Sequence, residues 1–172
     1  MRYDRRMENL IVTNNILYFR NKEFRCAIGR SGVAPKHSEG DGTTPLGTFS
    51  LRECWYRADK LDMPETQLPL RVINPNDGWC DDPASLEYNQ HVTLPYQPSH
   101  EKLWRDDATY DIIVPIGYND APILPGQGSA IFFHIAKPDY GPTEGCVAVS
   151  MTDMLEILPH LSVASCITVR AE

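Results

Sequence analysis

The sequence contains no apolar run approaching the ~20 residues that a membrane-spanning helix requires, so membrane insertion is not expected. Its opening residues, Met1-Arg2-Tyr3-Asp4-Arg5-Arg6-Met7-Glu8, lack the apolar stretch of about 7–15 residues and the small-residue cleavage site of a secretory leader. Taken as the native start, they place the protein in the cytoplasm; a trimmed start would make the periplasm the alternative. There is also no basic excess. Lys and Arg number 16 against 23 Asp and Glu, a formal charge of −7, and Arg5-Arg6 is the only adjacent basic pair. Nucleic acid and anionic lipid surfaces need a basic face, so neither is expected as a partner. The five cysteines, Cys26, Cys54, Cys80, Cys146 and Cys166, include no C-x-x-C pair and are odd in number. That argues against a thiolate zinc site, a redox dithiol or a disulfide framework, and for reduced, mostly inert thiols. His37, His91, His100 and His160 share no ligand-like spacing, so no metal site is expected. Nothing in the sequence fixes an oligomeric state.

What is present is a chain of 172 residues, the length of one domain, with enough apolar residues to bury a core. Leu10-Ile11-Val12, Ile16-Leu17-Tyr18-Phe19 and Phe24-Arg25-Cys26-Ala27-Ile28 are split by Asn14-Asn15 and Asn21-Lys22. Asn tolerates the positive φ of tight hairpins, so this pattern predicts a three-stranded meander. Gly29 to Gly47 reads as a loop, Thr48 to Tyr56 as a strand, and Leu68 to Ile73 and Tyr110 to Ile116 as two more. Pro75-Asn76-Asp77-Gly78 reads as a turn, and His100 to Asp107 as two turns of helix. Ser129 to Ala136 is the strongest strand signal, apolar on both faces and therefore expected in a covered, central position. After the loop Lys137 to Gly145 come Cys146-Val147-Ala148-Val149, and then Ser150 with Asp153 three positions on. That pair predicts a capped helix from Met151 to Leu158, stopped at Pro159. Cys166 to Arg170 closes the chain as a strand. Many short strands with one or two short helices make this a mainly β protein, a β-sandwich or barrel.

Cys146 follows His134 by twelve positions, across a loop holding Pro138, Gly141, Pro142 and Gly145. A thiol is a weak nucleophile until it loses its proton, and a nearby imidazole takes that proton. The expected meeting of the two side chains is across a hairpin. Backbone N–H groups near Glu144, Gly145 and Cys146 would then face a developing oxyanion. On spacing alone the signal is weak, because a single His and a single Cys near each other are more often core residues. Arg30 and Lys36, beside Gly29-Arg30-Ser31-Gly32, are candidates to receive a substrate carboxylate, whereas Trp104, Tyr118 and Tyr140 read as packing or rim residues.

Phe133-His134 followed by Thr143-Glu144-Gly145-Cys146-Val147 resembles the signature of the L,D-transpeptidase (YkuD-type) family. Thr44-Pro45-Leu46-Gly47-Thr48-Phe49 resembles that family's other common segment, in the family's order, and the resemblance spans roughly Arg25 to Leu158. It implies a mainly β catalytic domain acting on peptidoglycan stem peptides, without metal or organic cofactor. Cys146 would form a thioester on the L-centre of a diamino acid at position three and release the D-amino acid at position four. His134 would be base and acid, its ring oriented by the carbonyl of Ile135, with Thr143 near the substrate. A carbapenem would acylate the active thiol. Two positions depart from the family pattern: Ala148 stands where Arg or Asn is usual, and Glu144 where many members have a second histidine. The loop after His134 is also shorter than usual. With a cytoplasmic start, the expectation is hydrolysis of soluble muropeptides, an L,D-carboxypeptidase role. Formation of 3→3 cross-links is the alternative, and a non-catalytic module that binds wall peptides is a further one.

Overall fold

The computed structural model describes residues 9–172, so expectations for the first eight residues lie outside the described part. Along the chain, β1 (Leu10–Thr13), β2 (Ile16–Phe19) and β3 (Lys22–Arg25) form the expected antiparallel meander. Asn14 at φ 52° and Asn21 at φ 64° provide the turns. Two residue pairs, β4 (Val33–Ala34) and β5 (Thr44–Pro45), make a small parallel ladder within the glycine-rich loop. Next come β6 (Gly47–Ser50), β7 (Cys54–Tyr56), β8 (Leu70–Val72), β9 (Asp77–Cys80), β10 (His91–Thr93), β11 (His100–Lys102), β12 (Ile112–Pro115), β13 (Phe132–Ile135) and β14 (Val147–Val149). Helix α1 (Met151–Ile157), a 3-10 turn at Leu158–His160 and β15 (Cys166–Arg170) complete it.

Two five-stranded sheets, ordered β3-β2-β1-β15-β6 and β14-β13-β12-β7-β8, face each other. The period-2 alternation of strands assigns each side chain to a face. Leu10, Val12, Leu17, Ile167 and Val169 from the first sheet meet Ile112, Val114, Phe133, Ile135, Val147 and Val149 from the second, with Met154 and Ile157 of α1 in the same core. The alternate residues of the second sheet point the other way. Trp55, Ile113 and Phe132 join Tyr110, Leu103 and Ala130 in a second cluster, under a third, three-stranded sheet ordered β10-β9-β11. This explains why Ser129 to Ala136 is apolar on both faces: β13 is covered twice.

The mainly β class holds, but the structure departs from the sequence reading in several places, and Asp77 and Gly78 of the expected turn are the start of β9. Thr48 to Tyr56 is two strands in different sheets, because β6 pairs with β15 and β7 with β12. His100 to Asp107 is not helical; His100–Lys102 pairs antiparallel with β9 instead, and a sheet edge overrides weak local propensity. Ser150 Oγ accepts from the Asp153 N–H at 3.1 Å, which is one half of the expected capping box. The most consequential departure concerns β13 and β14. They run parallel, not as a hairpin, so their link crosses over rather than turning back.

Candidate active site

Parallel pairing sets Phe133 opposite Val147, His134 opposite Ala148 and Ile135 opposite Val149. Directly paired residues share a face of a sheet. Continuing that register one step back places Cys146 beside Phe132, two residues before His134 and therefore on the same face as the imidazole. The Phe132 N–H donates to Cys146 Sγ at 3.3 Å, and the thiol donates to the Ala130 carbonyl at 3.3 Å. Both Cys146 and His134 border one cleft of about 380 Å³, open between the second sheet and the small sheet above it.

The imidazole is fixed as the resemblance implies. His134 Nδ1 lies 2.9 Å from the Ile135 carbonyl oxygen. A carbonyl only accepts, so the proton sits on Nδ1 and the basic lone pair on Nε2. The Tyr110 ring stands edge-on to the imidazole, centroids 5.3 Å apart. Ala148, directly across the ladder, presents only a methyl group on the side of the strand that carries the imidazole.

Thr143 clamps the turn before the sulfur. Its hydroxyl donates to the Cys146 carbonyl at 2.7 Å and accepts the Gly145 N–H at 3.1 Å. The Gly145 amide, expected as an oxyanion donor, is thus committed to Thr143, which leaves the Glu144 and Cys146 amides for that role. Gly145 has φ +139°, and a Cβ there would meet the Thr43 carbonyl oxygen at 2.7 Å. No other residue type fits this turn. On the far side, Ala130 is held at φ 52°, an unfavourable region for a residue with a Cβ. Asn89 Oδ1 accepts the Ala130 N–H at 3.0 Å and the Trp79 indole N–H at 3.0 Å. This pins the carbonyl that receives the thiol.

Burial governs the charge of both groups, since His134 is 5% and Cys146 7% exposed. Loss of solvation brings the His134 imidazole down to about 4, against the hydrogen bond to the Ile135 carbonyl. Burial, with the Glu101 carboxylate second, pushes the Cys146 thiol up to about 12, against the Phe132 N–H. The resting pair is neutral.

The other sequence candidates have partners of their own. Arg30 donates to Glu144 at 2.9 Å and to the Gly40 carbonyl at 2.8 Å. The Glu144 carboxylate is therefore turned to Arg30, and it is Asp107 and Arg105 whose charges bear on His134. Lys36, its side chain 2% exposed, is bound to Asp41 at 2.6 Å. Burial alone would raise the Asp41 carboxyl, but Lys36, Thr43 and His37 together hold it well below the usual carboxylate range. Trp104 stacks under Arg57 and Tyr140 under Arg25. His91 pairs with Asp77, His100 with the Pro98 carbonyl and His160 with Arg20. Sequence reasoning missed Glu39, Asp81, Glu101 and Tyr110, all of which line the cleft. They lie at separate points of the chain and belong to no local motif, and Glu101 falls in the segment read as helix.

No curated protein sequence matches the chain. A family model described as the L,D-transpeptidase catalytic domain (YkuD) matches residues 8–169, nearly its whole length. The family works by cysteine acyl transfer on peptidoglycan peptides. Match and strand arrangement agree: this chain belongs to the L,D-transpeptidase catalytic-domain family.

Proposed function

We propose that the protein hydrolyses the L,D bond between residues three and four of a soluble peptidoglycan stem peptide, through a thioester on Cys146. The observation that carries this reading is the placement of Cys146 and His134 on one face of two hydrogen-bonded parallel strands, bordering the same cleft. His134 Nε2 takes the thiol proton as Sγ bonds to the substrate carbonyl carbon. The oxyanion that forms is received by the Glu144 and Cys146 amides. Collapse breaks the C–N bond, and the imidazolium returns its proton to the departing amine of the D-residue. Water then attacks the thioester, giving one proton to His134. The C–S bond breaks, the product leaves as a carboxylic acid, and the proton passes back to sulfur. Throughout, the Nδ1–H to Ile135 bond keeps the ring in one tautomer.

Transfer of protons between two buried neutral groups suits this sequence of steps, because no ion pair has to be held in the resting protein. A cleft of about 380 Å³ is at the small end of ligand sites, which run to roughly 1,000 Å³. Incubation with a muropeptide tetrapeptide tests the proposed hydrolysis by mass spectrometry. Loss of the terminal D-alanine is expected; a cross-linked dimer as sole product would assign transpeptidation instead.

A further inference from the structure

Two hydrogen bonds hold the Cys146 sulfur, and both come from the segment that leads into β13. The Ala130 carbonyl accepts the thiol and the Phe132 N–H donates to Sγ, each at 3.3 Å. Phe132 is fixed by the ladder, opposite Pro115 of β12. Ala130 lies before the strand begins. The chain reaches β13 through Gly128 at φ 119° and Ala130 at φ 52°. Glycine takes such conformations freely, whereas a Cβ makes them unfavourable, so at Ala130 the surroundings have to impose it.

The backbone groups of this segment are bound by side chains. The Gly128 N–H donates to the Tyr88 hydroxyl at 2.9 Å, and the Gly128 carbonyl accepts from Asn119 Nδ2 at 2.9 Å. The Ala130 N–H donates to Asn89 Oδ1 at 3.0 Å. Asn89 is 6% exposed, and its amide makes four bonds, the full capacity of the group. Its Oδ1 also accepts the Trp79 indole N–H at 3.0 Å, and Nδ2 donates to the Tyr118 and Asn119 carbonyls at 3.2 and 2.8 Å. A buried amide with every donor and acceptor in use has one orientation, and that orientation fixes the Ala130 peptide. The Tyr88 hydroxyl is held in turn by donating to the Glu39 carboxylate. Neither Tyr88 nor Asn89 lines the cleft. Tyr88 is buried, and Asn89 borders a separate cavity of about 310 Å³ whose wall includes Ile131 and Phe132. A substrate in the cleft meets neither side chain, so their effect on the reaction passes through Ala130.

We propose that Tyr88 and Asn89 are positioning residues for the nucleophile, holding Gly128 to Ala130 in the conformation that aims the Ala130 carbonyl at Sγ and so keeps the sulfur directed into the cleft. The assignment rests on the function proposed above, with Cys146 as the acylated atom. Both residues lie in the loop between β9 and β10. The small sheet thus reaches the reacting atom through a single peptide, a part in the chemistry besides covering it.

Carbapenem acylation of Cys146, followed by intact mass over a range of concentrations, separates the limiting rate from the half-saturating concentration. Asn89→Gly removes the amide and leaves position 89 free to keep its φ of 55°. It should lower the limiting rate by about ten- to a hundredfold, as a displacement of ~1 Å does, with the half-saturating concentration unchanged. Tyr88→Phe loses the hydroxyl alone and should lower the limiting rate by less. Ala130→Gly distinguishes aiming from a merely structural role. Glycine at 130 takes φ 52° without help, so in that background Asn89→Gly should cost about threefold or less. Losses that simply multiply in the double variant, a fall carried by the half-saturating concentration, or a limiting rate unchanged in the variants would each overturn the assignment. Melting curves identify a variant that has not folded. If Asn89→Gly is one, Tyr88→Phe with and without Ala130→Gly decides by the same criteria. No adduct on Cys146 in the unsubstituted protein would remove the function on which the assignment rests, whereas an adduct formed at one rate in all these proteins removes only the positioning role.

Discussion

Cys146 and His134 carry no charge at neutral pH because both are shielded from water, and this has consequences that can be measured one side chain at a time. Removing the thiol with Cys146→Ala should lower turnover by several orders of magnitude, as loss of a covalent nucleophile does; release of D-alanine is the readout. With the thiol pushed up to about 12, alkylation of the free protein by iodoacetamide should be slow at pH 7. Its rate should still be rising at pH 10. A plateau below pH 8 would mean a preformed ion pair. His134 gives a stability signature. Its value falls from 6.5 unfolded to about 4 folded, so between these limits the unfolded chain binds the extra proton. Stability from the neutral imidazole is therefore complete above pH 6.5 and is lost as pH falls toward 4. Denaturant melts of the protein and of His134→Gln should differ in slope across that window and nowhere above it.

The strands decide which of these side chains meet. Cys146 and His134 are neighbours because β14 lies parallel to β13, with Thr143 and Gly145 shaping the entry to β14. Gly145→Ala must both strain φ +139° and push a methyl against the Thr43 carbonyl. Together these should cost about 2–4 kcal/mol, read by chemical denaturation, with activity lost in the folded fraction. The histidine, the cysteine and the glycine before it were legible in the sequence because a family motif is local. So were β1 to β3, β13 and α1, whose periodicity or capping residues lie close together along the chain. The direction of β14 was not legible. A short apolar strand reads the same whether its partner runs parallel or antiparallel, and only the register across the crossover distinguishes them. The splitting of Thr48 to Tyr56 and the strand at His100 failed for a related reason, since both depend on pairing with distant residues. Glu39, Asp81 and Glu101 were invisible as a group, being brought together only by the folded chain.

Across the whole molecule, the catalytic sheet is sandwiched, with the main core on one face and the three-stranded β9–β11 layer on the other. Phe132 ties the sheet to that layer, its ring edge-on to Trp79 at 5.1 Å and to Tyr110 at 5.7 Å. Phe132→Ala should cost about 3–5 kcal/mol as a buried aromatic truncation and loosen the layer that shields Cys146. The expected mark is faster alkylation of Cys146 at neutral pH in the folded variant. All of this depends on one sulfur being the atom that is acylated. Intact-mass spectrometry after exposure to a carbapenem, followed by peptide mapping, tests that claim most directly. A single stable adduct on Cys146, absent from His134→Ala, is the predicted result; an adduct on Cys26, Cys54, Cys80 or Cys166, with Cys146 unmodified, would contradict it.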